Sequence, residues 1–406
     1  MPEMKYVVLL GDGMSDKPVP ELSGRTPLMA AHTPNLDRMV RDGVGGWSLN
    51  TPKGYYPGSD VANLGVLGYD VTQGYTGRSP LEAAAMGVVL GTHDLALRCN
   101  LVTLDEHFGR MVDFSAGHIS TTEAAVLVSF LDRELGTEAF RFYPGVSYRH
   151  LLVWQGGRDD MKTVPPHDIS DQLVHDYLPS GPDAAAIRIL MEKSQGILWD
   201  HKINRARIAD GKKPANSVWL WGQGRKPRLP LFTDLHGKTG GMISAVDLMQ
   251  GIAAHIGFER FTVPGATGWL DTHYEGKVAA CLEGLRRHDL MFVHVEAPDE
   301  AGHEGRLDYK IQAIEDFDRR LVGPILAELE KVGNFRVLAL PDHPTPVASR
   351  THNSDPVPFA LVGEGVLRDG NSVYDESLLT KGTLFFDPGY RLMSAFLGPQ
   401  PIGRVG

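Results

Sequence analysis

The stretch Phe335-Arg-Val-Leu-Ala-Leu340-Pro341-Asp342-His343 decides the fold class of this chain. A short apolar run ends at once in a proline, a carboxylate and an imidazole. The same pattern occurs twice more. Tyr6–Leu10 leads into Gly11-Asp12-Gly13, and Leu290–Val295 leads into Glu296-Ala-Pro-Asp299 and then His303. Short apolar runs bounded by Gly or Pro suit strands buried on both faces, as in a parallel sheet. In open sheets of that kind, ligands collect outside the carboxyl ends of the strands. Three strands that deliver carboxylates and imidazoles from the same end would converge on one site.

Working outward, helices separate these strands. Ile311, Ile314, Leu321, Ile325 and Leu329 recur mostly at three- and four-residue spacings between Lys310 and Glu330, which predicts an amphipathic helix. Thr33-Pro34 reads as an N-cap followed by proline at the first helical position. Strand, helix and strand alternate as parallel crossovers require, so the fold class is α/β with a central, mostly parallel sheet flanked by helices. The middle of the chain reads differently. Ser120-Thr-Thr-Glu123 is a capping box opening a helix that stops at Gly136, and Tyr148–Trp154 reads as a strand. Gly and Pro punctuate the chain near Gly91 and over Trp221–Pro227. The expectation is a core of residues 1–91 and 229–406, with 92–228 inserted as a second α/β domain. A length of 406 residues suits two such domains.

Composition narrows the function. Hydrophobic residues make up 42% and charged residues 22%, an ordinary globular balance, and no apolar stretch reaches the roughly 18 residues of a membrane span. No membrane partner is expected. The apolar run after Lys5 is too brief for a signal peptide and reads as a buried first strand. Cys99 and Cys281 lie far apart, which excludes a disulfide framework and a thiolate zinc site and makes a reducing cytoplasm the expected compartment. A net charge of −10 argues against nucleic acid as a partner.

The chemistry sits at the strand ends. Asp12, Asp299, His303, Asp342, His343 and His352 offer carboxylate oxygens and imidazole nitrogens, ligands that Zn²⁺ and Mn²⁺ accept, and no thiolate competes. Singly, each could be a turn or cap residue. Together they exceed what one ion needs, which points to two. In Pro57-Gly58-Ser59-Asp60, Ser59 opens an apolar helical stretch. Its hydroxyl is either a plain N-cap or, if a divalent ion binds it, a nucleophile that needs no histidine base. Phosphate-loop readings fail: Gly11-Asp-Gly13 is followed by Asp16 where a third glycine is required, and Gly237-Lys238-Thr239 has Phe232 in place of the leading glycine. The inserted segment carries Arg98, His118, Arg149, His150, His167, Arg205 and Arg207. Arginine forks match carboxylate and phosphate, so several of these on one wall would hold a phosphorylated acid; otherwise they are solvated surface.

Leu-Gly-Asp12-Gly-Met, Thr33-Pro-Asn-Leu-Asp-Arg38, Pro-Gly-Ser59-Asp, Asp299-Glu-Ala-Gly-His303, Pro-Asp342-His343 and His352-Asn-Ser-Asp-Pro resemble the alkaline phosphatase superfamily. More closely, the chain resembles the archaeal-type, 2,3-bisphosphoglycerate-independent phosphoglycerate mutases and their bacterial relatives. That resemblance implies an isomerase of glycolysis and gluconeogenesis with a phosphatase-like core. It implies two divalent ions, Mn²⁺ or Zn²⁺, with Mg²⁺ or Co²⁺ as alternatives. One ion would be held by Asp299, His303 and His352, the other by Asp12, Asp342, His343 and the Ser59 hydroxyl. Ser59 would carry the phosphoryl group between the two positions of glycerate, and Lys238 loosely resembles a phosphate-contacting lysine. His118, Arg149, His150 and Arg205 would line the substrate wall. Two departures, His118 in Ser115-Ala-Gly-His118 and Trp219-Leu-Trp-Gly-Gln-Gly224, leave a homoserine kinase-like phosphotransferase or a phosphatase as alternatives on the same metal site.

Overall fold

The computed structural model describes residues 4–403. Its strands are β1 (Lys5–Gly11), β2 (Val44–Ser48), β3 (Asp94–Leu104), β4 (Met111–Asp113), β5 (Phe140–Tyr143), β6 (Arg149–Gln155) and β7 (Ser217–Arg225), followed by β8 (Gly240–Ile243), β9 (Glu259–Phe261), β10 (Leu290–Val295), β11 (Phe335–Leu340), β12 (Val357–Gly363) and β13 (Leu384–Phe386). The chain divides into two compact units. One runs to Tyr75 and resumes at Leu229; the other is Thr76–Arg228.

The first unit is built on an eight-stranded sheet in the order β13-β2-β12-β11-β1-β10-β8-β9. The three strands singled out in the sequence are neighbours. β1 pairs in parallel with both β10 and β11, with Gly11 opposite Val295 and Leu10 opposite Leu340. That register brings Asp12, Glu296 and Pro341 off the same edge. β12 runs antiparallel to β11 and β2, so the sheet is mixed rather than wholly parallel. Val7, Leu9, Val293, Val337 and Ala339 are fully buried beneath Phe317, Leu321 and Ile325. The helix expected over Lys310–Glu330 is present with a change of pitch: Leu307–Phe317 and Gly323–Val332 are α-helical, and Asp318–Val322 between them is a π turn. Pro324 lacks the amide hydrogen a regular helix interior uses, which suits it to the start of the second segment.

The second unit has a five-stranded antiparallel sheet, β4-β3-β6-β5 with β7 on the other side of β3. Helices Thr121–Leu135 and Ala184–Trp199 cover it, the first opened by the Ser120–Glu123 capping box. Its amino-terminal limit lies earlier than the 92 expected from punctuation. Helix Ser79–Ala85 belongs to this unit: Ser79 Oγ donates to Gly222 O, and Ala83 packs with Ala96, Leu151 and Val153. Burial of that face, not the glycine at 91, sets the boundary. Among the described residues, no helix is long and apolar enough to cross a membrane.

Candidate metal centre

Each strand end places one part of the site. The chain leaving β1 turns through Gly13, whose φ of +58° is open to glycine; a Cβ there would come within 2.5 Å of Asp299 Oδ1 and Thr345 Oγ1. Asp12 is fully buried on this turn. After β10 the chain enters helix Ala297–Glu304, where Asp299 and His303 lie one turn apart on the same face. After β11, Asp342 accepts from the amides of Gly13 at 3.2 Å and His343 at 2.9 Å.

Two groups of donors hold the expected ligands, beside a third made by Asp12, His294 and Glu296. In the first, His343 Nε2 lies 3.6 Å from Asp12 Oδ1, 3.4 Å from Asp342 Oδ2 and 3.2 Å from Ser59 Oγ. Ser59 is the first residue of helix Ser59–Val66, after the N-cap Gly58, and its hydroxyl faces His343. In the second, Asp299 Oδ2 lies 3.2 Å from His303 Nε2, Asp299 Oδ1 lies 3.4 Å from His352 Nε2, and the two Nε2 atoms stand 2.8 Å apart. His303 directs its Nδ1 at Arg350 O at 3.0 Å, which leaves Nε2 as the donor atom for a cation. The His343 and His352 rings are 4.0 Å apart, so the groups adjoin.

The electrostatics call for positive charge. Burial, then the carboxylates of Asp342, Glu296 and Asp299, push Asp12 well above its ordinary range. Burial and Asp299 push Glu296 up to about 8. Burial opposes charge on His303, yet the Asp299 carboxylate pushes it up to about 9. Asp12 Oδ1 is buried with no hydrogen-bond partner among the described residues. An orphaned buried carboxylate oxygen among oxygen and nitrogen donors fits a divalent cation.

All seven residues named above as ligands stand in these two groups. The substrate-wall candidates divide. Arg98 lies over the Trp221 ring at 4.2 Å, Trp221 contacts His167, and His167 contacts Phe114, which meets Tyr148 beside His118 and Arg149. These four basic residues share one aromatic-lined face of the second unit. His150, Arg205 and Lys238 do not join a site. His150 is buried, accepts from the Gly145 amide, and is pushed down to about 3 by burial, so it is neutral packing. Arg205 is exposed and paired with Asp200. Lys238 precedes β8 at the amino ends of the strands, 5.7 Å from the Tyr6 ring, the opposite edge from Asp12. Arg207 is structural, its guanidinium holding Ala116 O, Lys213 O and Glu123.

Several residues escape the sequence reading. Asn63 Nδ2 donates to Asp342 Oδ2 at 2.8 Å and to Ser59 O at 2.9 Å, tying the Ser59 backbone to the Asp342 side chain. His294 and Glu296 flank Asp12, with His294 Nε2 at 2.8 Å from Asp12 Oδ2 and 3.4 Å from Glu296 Oε2. A histidine inside the apolar run of β10 was the available signal.

Comparison with known proteins follows the geometry. The sequence model of the family described as 2,3-bisphosphoglycerate-independent phosphoglycerate mutase matches residues 41–204. A Geobacter sulfurreducens protein named "Probable 2,3-bisphosphoglycerate-independent phosphoglycerate mutase" is 53% identical over 97% of this chain and 100% of its own length. The 2,3-bisphosphoglycerate-independent phosphoglycerate mutase of Methanosarcina acetivorans is 50% identical over 94% of this chain and 96% of its own. Among solved structures, the cofactor-independent phosphoglycerate mutase of Thermoplasma acidophilum matches with a TM-score of 0.66 at 26% identity, covering 97% of this chain and 99% of that one. A Pyrococcus horikoshii protein matches at 0.83 and 28%, covering 98% of each chain.

Proposed function

This chain belongs to the family of 2,3-bisphosphoglycerate-independent phosphoglycerate mutases, and from that membership we propose that it interconverts 3-phosphoglycerate and 2-phosphoglycerate by passing the phosphoryl group through Ser59. The observation that carries this reading is the Ser59 hydroxyl, at the first residue of its helix and 3.2 Å from His343 Nε2 within the Asp12 and Asp342 group. Asp12, Asp342, His343 and Ser59 would hold one divalent ion and Asp299, His303 and His352 the other, with Mn²⁺ or Zn²⁺ suited to such donors. When bound, these ions act as Lewis acids that lower the pKa of the serine hydroxyl and offset charge on the transferring oxygens.

Ser59 Oγ forms a bond to phosphorus as the bond to the 3-oxygen of 3-phosphoglycerate breaks, and the serine proton ends on that 3-oxygen, leaving phosphoserine and glycerate. The 2-hydroxyl of glycerate then attacks the phosphorus and frees Ser59. Asn63 holds Ser59 and Asp342 in mutual register through both transfers. The start of helix Ser59–Val66 adds the positive end of its dipole at the phosphoryl group. His118, Arg149 and His167 are the groups suited to a small carboxylate, whereas Arg98 is held by Glu82 at 3.0 Å.

The test incubates Mn²⁺-loaded protein with 3-phosphoglycerate, without bisphosphoglycerate, and follows 2-phosphoglycerate through enolase. Metal-dependent formation with almost no free phosphate is expected. Release of inorganic phosphate instead would make the protein a phosphatase. No turnover with metal bound would overturn the mutase, and homoserine with a phosphoryl donor would then be assayed.

A further inference from the structure

One hydroxyl touches a ligand from each donor group. Thr345 is fully buried; its Oγ1 donates to Asp299 Oδ1 and lies 3.3 Å from His343 Nδ1. A threonine hydroxyl has one proton to give and lone pairs to receive. The Asp299 carboxylate can only accept, so the hydroxyl proton goes to it. The Oγ1 lone pair then takes its hydrogen from His343 Nδ1. With the ring hydrogen on Nδ1, Nε2 keeps its lone pair, and that atom faces Ser59, Asp342 and Asp12. We propose that Thr345 is a positioning residue that couples the two cation groups, setting the His343 tautomer for one and the Asp299 carboxylate for the other through a single hydroxyl. This rests on the two-cation reading above.

The hydroxyl is held from several sides. The Thr345 amide donates to Ser15 O at 3.2 Å, and its carbonyl accepts from Lys310 Nζ at 2.6 Å. The same Nζ donates to Ser15 O at 3.2 Å and Asp16 Oδ2 at 2.9 Å. Lys310 thereby ties the segment after Asp12 to the segment after His343. Gly13 leaves no room for Oγ1 to swing away, since only a hydrogen fits where its Cβ would meet both Oγ1 and Asp299. Partners that fix a metal-bound histidine's second nitrogen typically matter about 10–100-fold in metal affinity.

Calorimetric titration of Mn²⁺ into metal-free wild type, Thr345→Val and Thr345→Ser tests the coupling, with circular dichroism of each metal-free protein as the folding control. Valine keeps the branched shape without the hydroxyl; serine keeps the hydroxyl. Thr345→Val is expected to weaken both sites by about 10–100-fold, and Thr345→Ser to stay within about threefold of wild type at both. Wild-type affinity at either site in Thr345→Val, or a Thr345→Ser protein as weak as the valine variant, overturns the coupling while leaving the two-cation reading intact. Failure of the wild type to bind two ions overturns both. If the valine variant does not fold, the ¹H–¹⁵N imidazole spectrum of metal-free wild type decides: an Nδ1–H tautomer for His343 supports the proposal and an Nε2–H tautomer refutes it.

Discussion

His294 Nε2 lies 2.8 Å from Asp12 Oδ2, with both side chains fully buried, and fixes which carboxylate oxygen of Asp12 remains for the site. His294 Nδ1 meets Ser244 Oγ at 3.0 Å, and Lys277 Nζ donates to the His294 carbonyl at 2.7 Å. Burial, then Lys277, pushes His294 down to about 3, so the ring is neutral at physiological pH. His294→Leu is expected to cost about 10–100-fold in affinity for the ion at the Asp12 group and little at the Asp299 group, read by competition with a chelator. Equal loss at both sites would contradict this role.

Ser59→Ala removes one donor and the proposed nucleophile while leaving Asp12, Asp342 and His343 in place. Two ions are expected to bind still, with phosphoryl transfer lost by at least about a thousandfold. Full activity would sink the phosphoserine route.

Asp342→Asn replaces a carboxylate with a neutral amide, a poorer ligand. Asp342 also accepts from Asn63 Nδ2, which an amide nitrogen turned toward it would repel. Weaker binding of one ion and loss of most activity are expected; unchanged stoichiometry and rate would refute the assignment.

Lys310→Met breaks a fully buried ion pair with Asp16 and takes the Nζ donor from the Thr345 carbonyl, while Ser15 O keeps the Thr345 amide. Loss of about 3–5 kcal/mol is expected in denaturant unfolding, since the remaining carboxylate has no replacement cation. A change below about 1 kcal/mol would show that the clamp carries little of the fold's stability.

Glu376 accepts from Thr26 Oγ1 at 2.5 Å and from the Asp16 amide at 3.1 Å, yet burial raises it from 4.5 to about 7. A carboxyl whose pKa is higher in the folded protein binds its proton more tightly there than when unfolded. Its contribution is therefore complete below about pH 4.5 and is lost as pH rises through about 7. The loss is up to about 3 kcal/mol, and Glu376→Gln should flatten that part of the stability profile. An unchanged slope between pH 4.5 and 7 in the variant would rule out Glu376 as its source.

Asp12, Asp299 and Asp342 were legible because a buried strand cannot continue through a carboxylate, so the charge marks the strand end and hence the site edge. The placement of His150, Arg205 and Lys238 was not legible, because a basic residue type says nothing about burial, pairing or sheet edge: His150 is buried in the second sheet, Arg205 pairs with Asp200, and Lys238 precedes β8.

By itself the sequence determined the α/β class, the three strands that meet and the carboxylates and imidazoles they carry, since period, punctuation and residue type are local properties. Tertiary structure alone decided that β1 lies between β10 and β11, that helix Ser79–Ala85 joins the second unit, and that Thr345, His294, Asn63 and Lys310 reach Asp299, Asp12, Asp342 and Asp16. Asp12 and His294 are 282 positions apart in the chain. A hydrogen bond between them depends on sheet register and on which side chains are sealed from water, and neither is written in the neighbours of either residue.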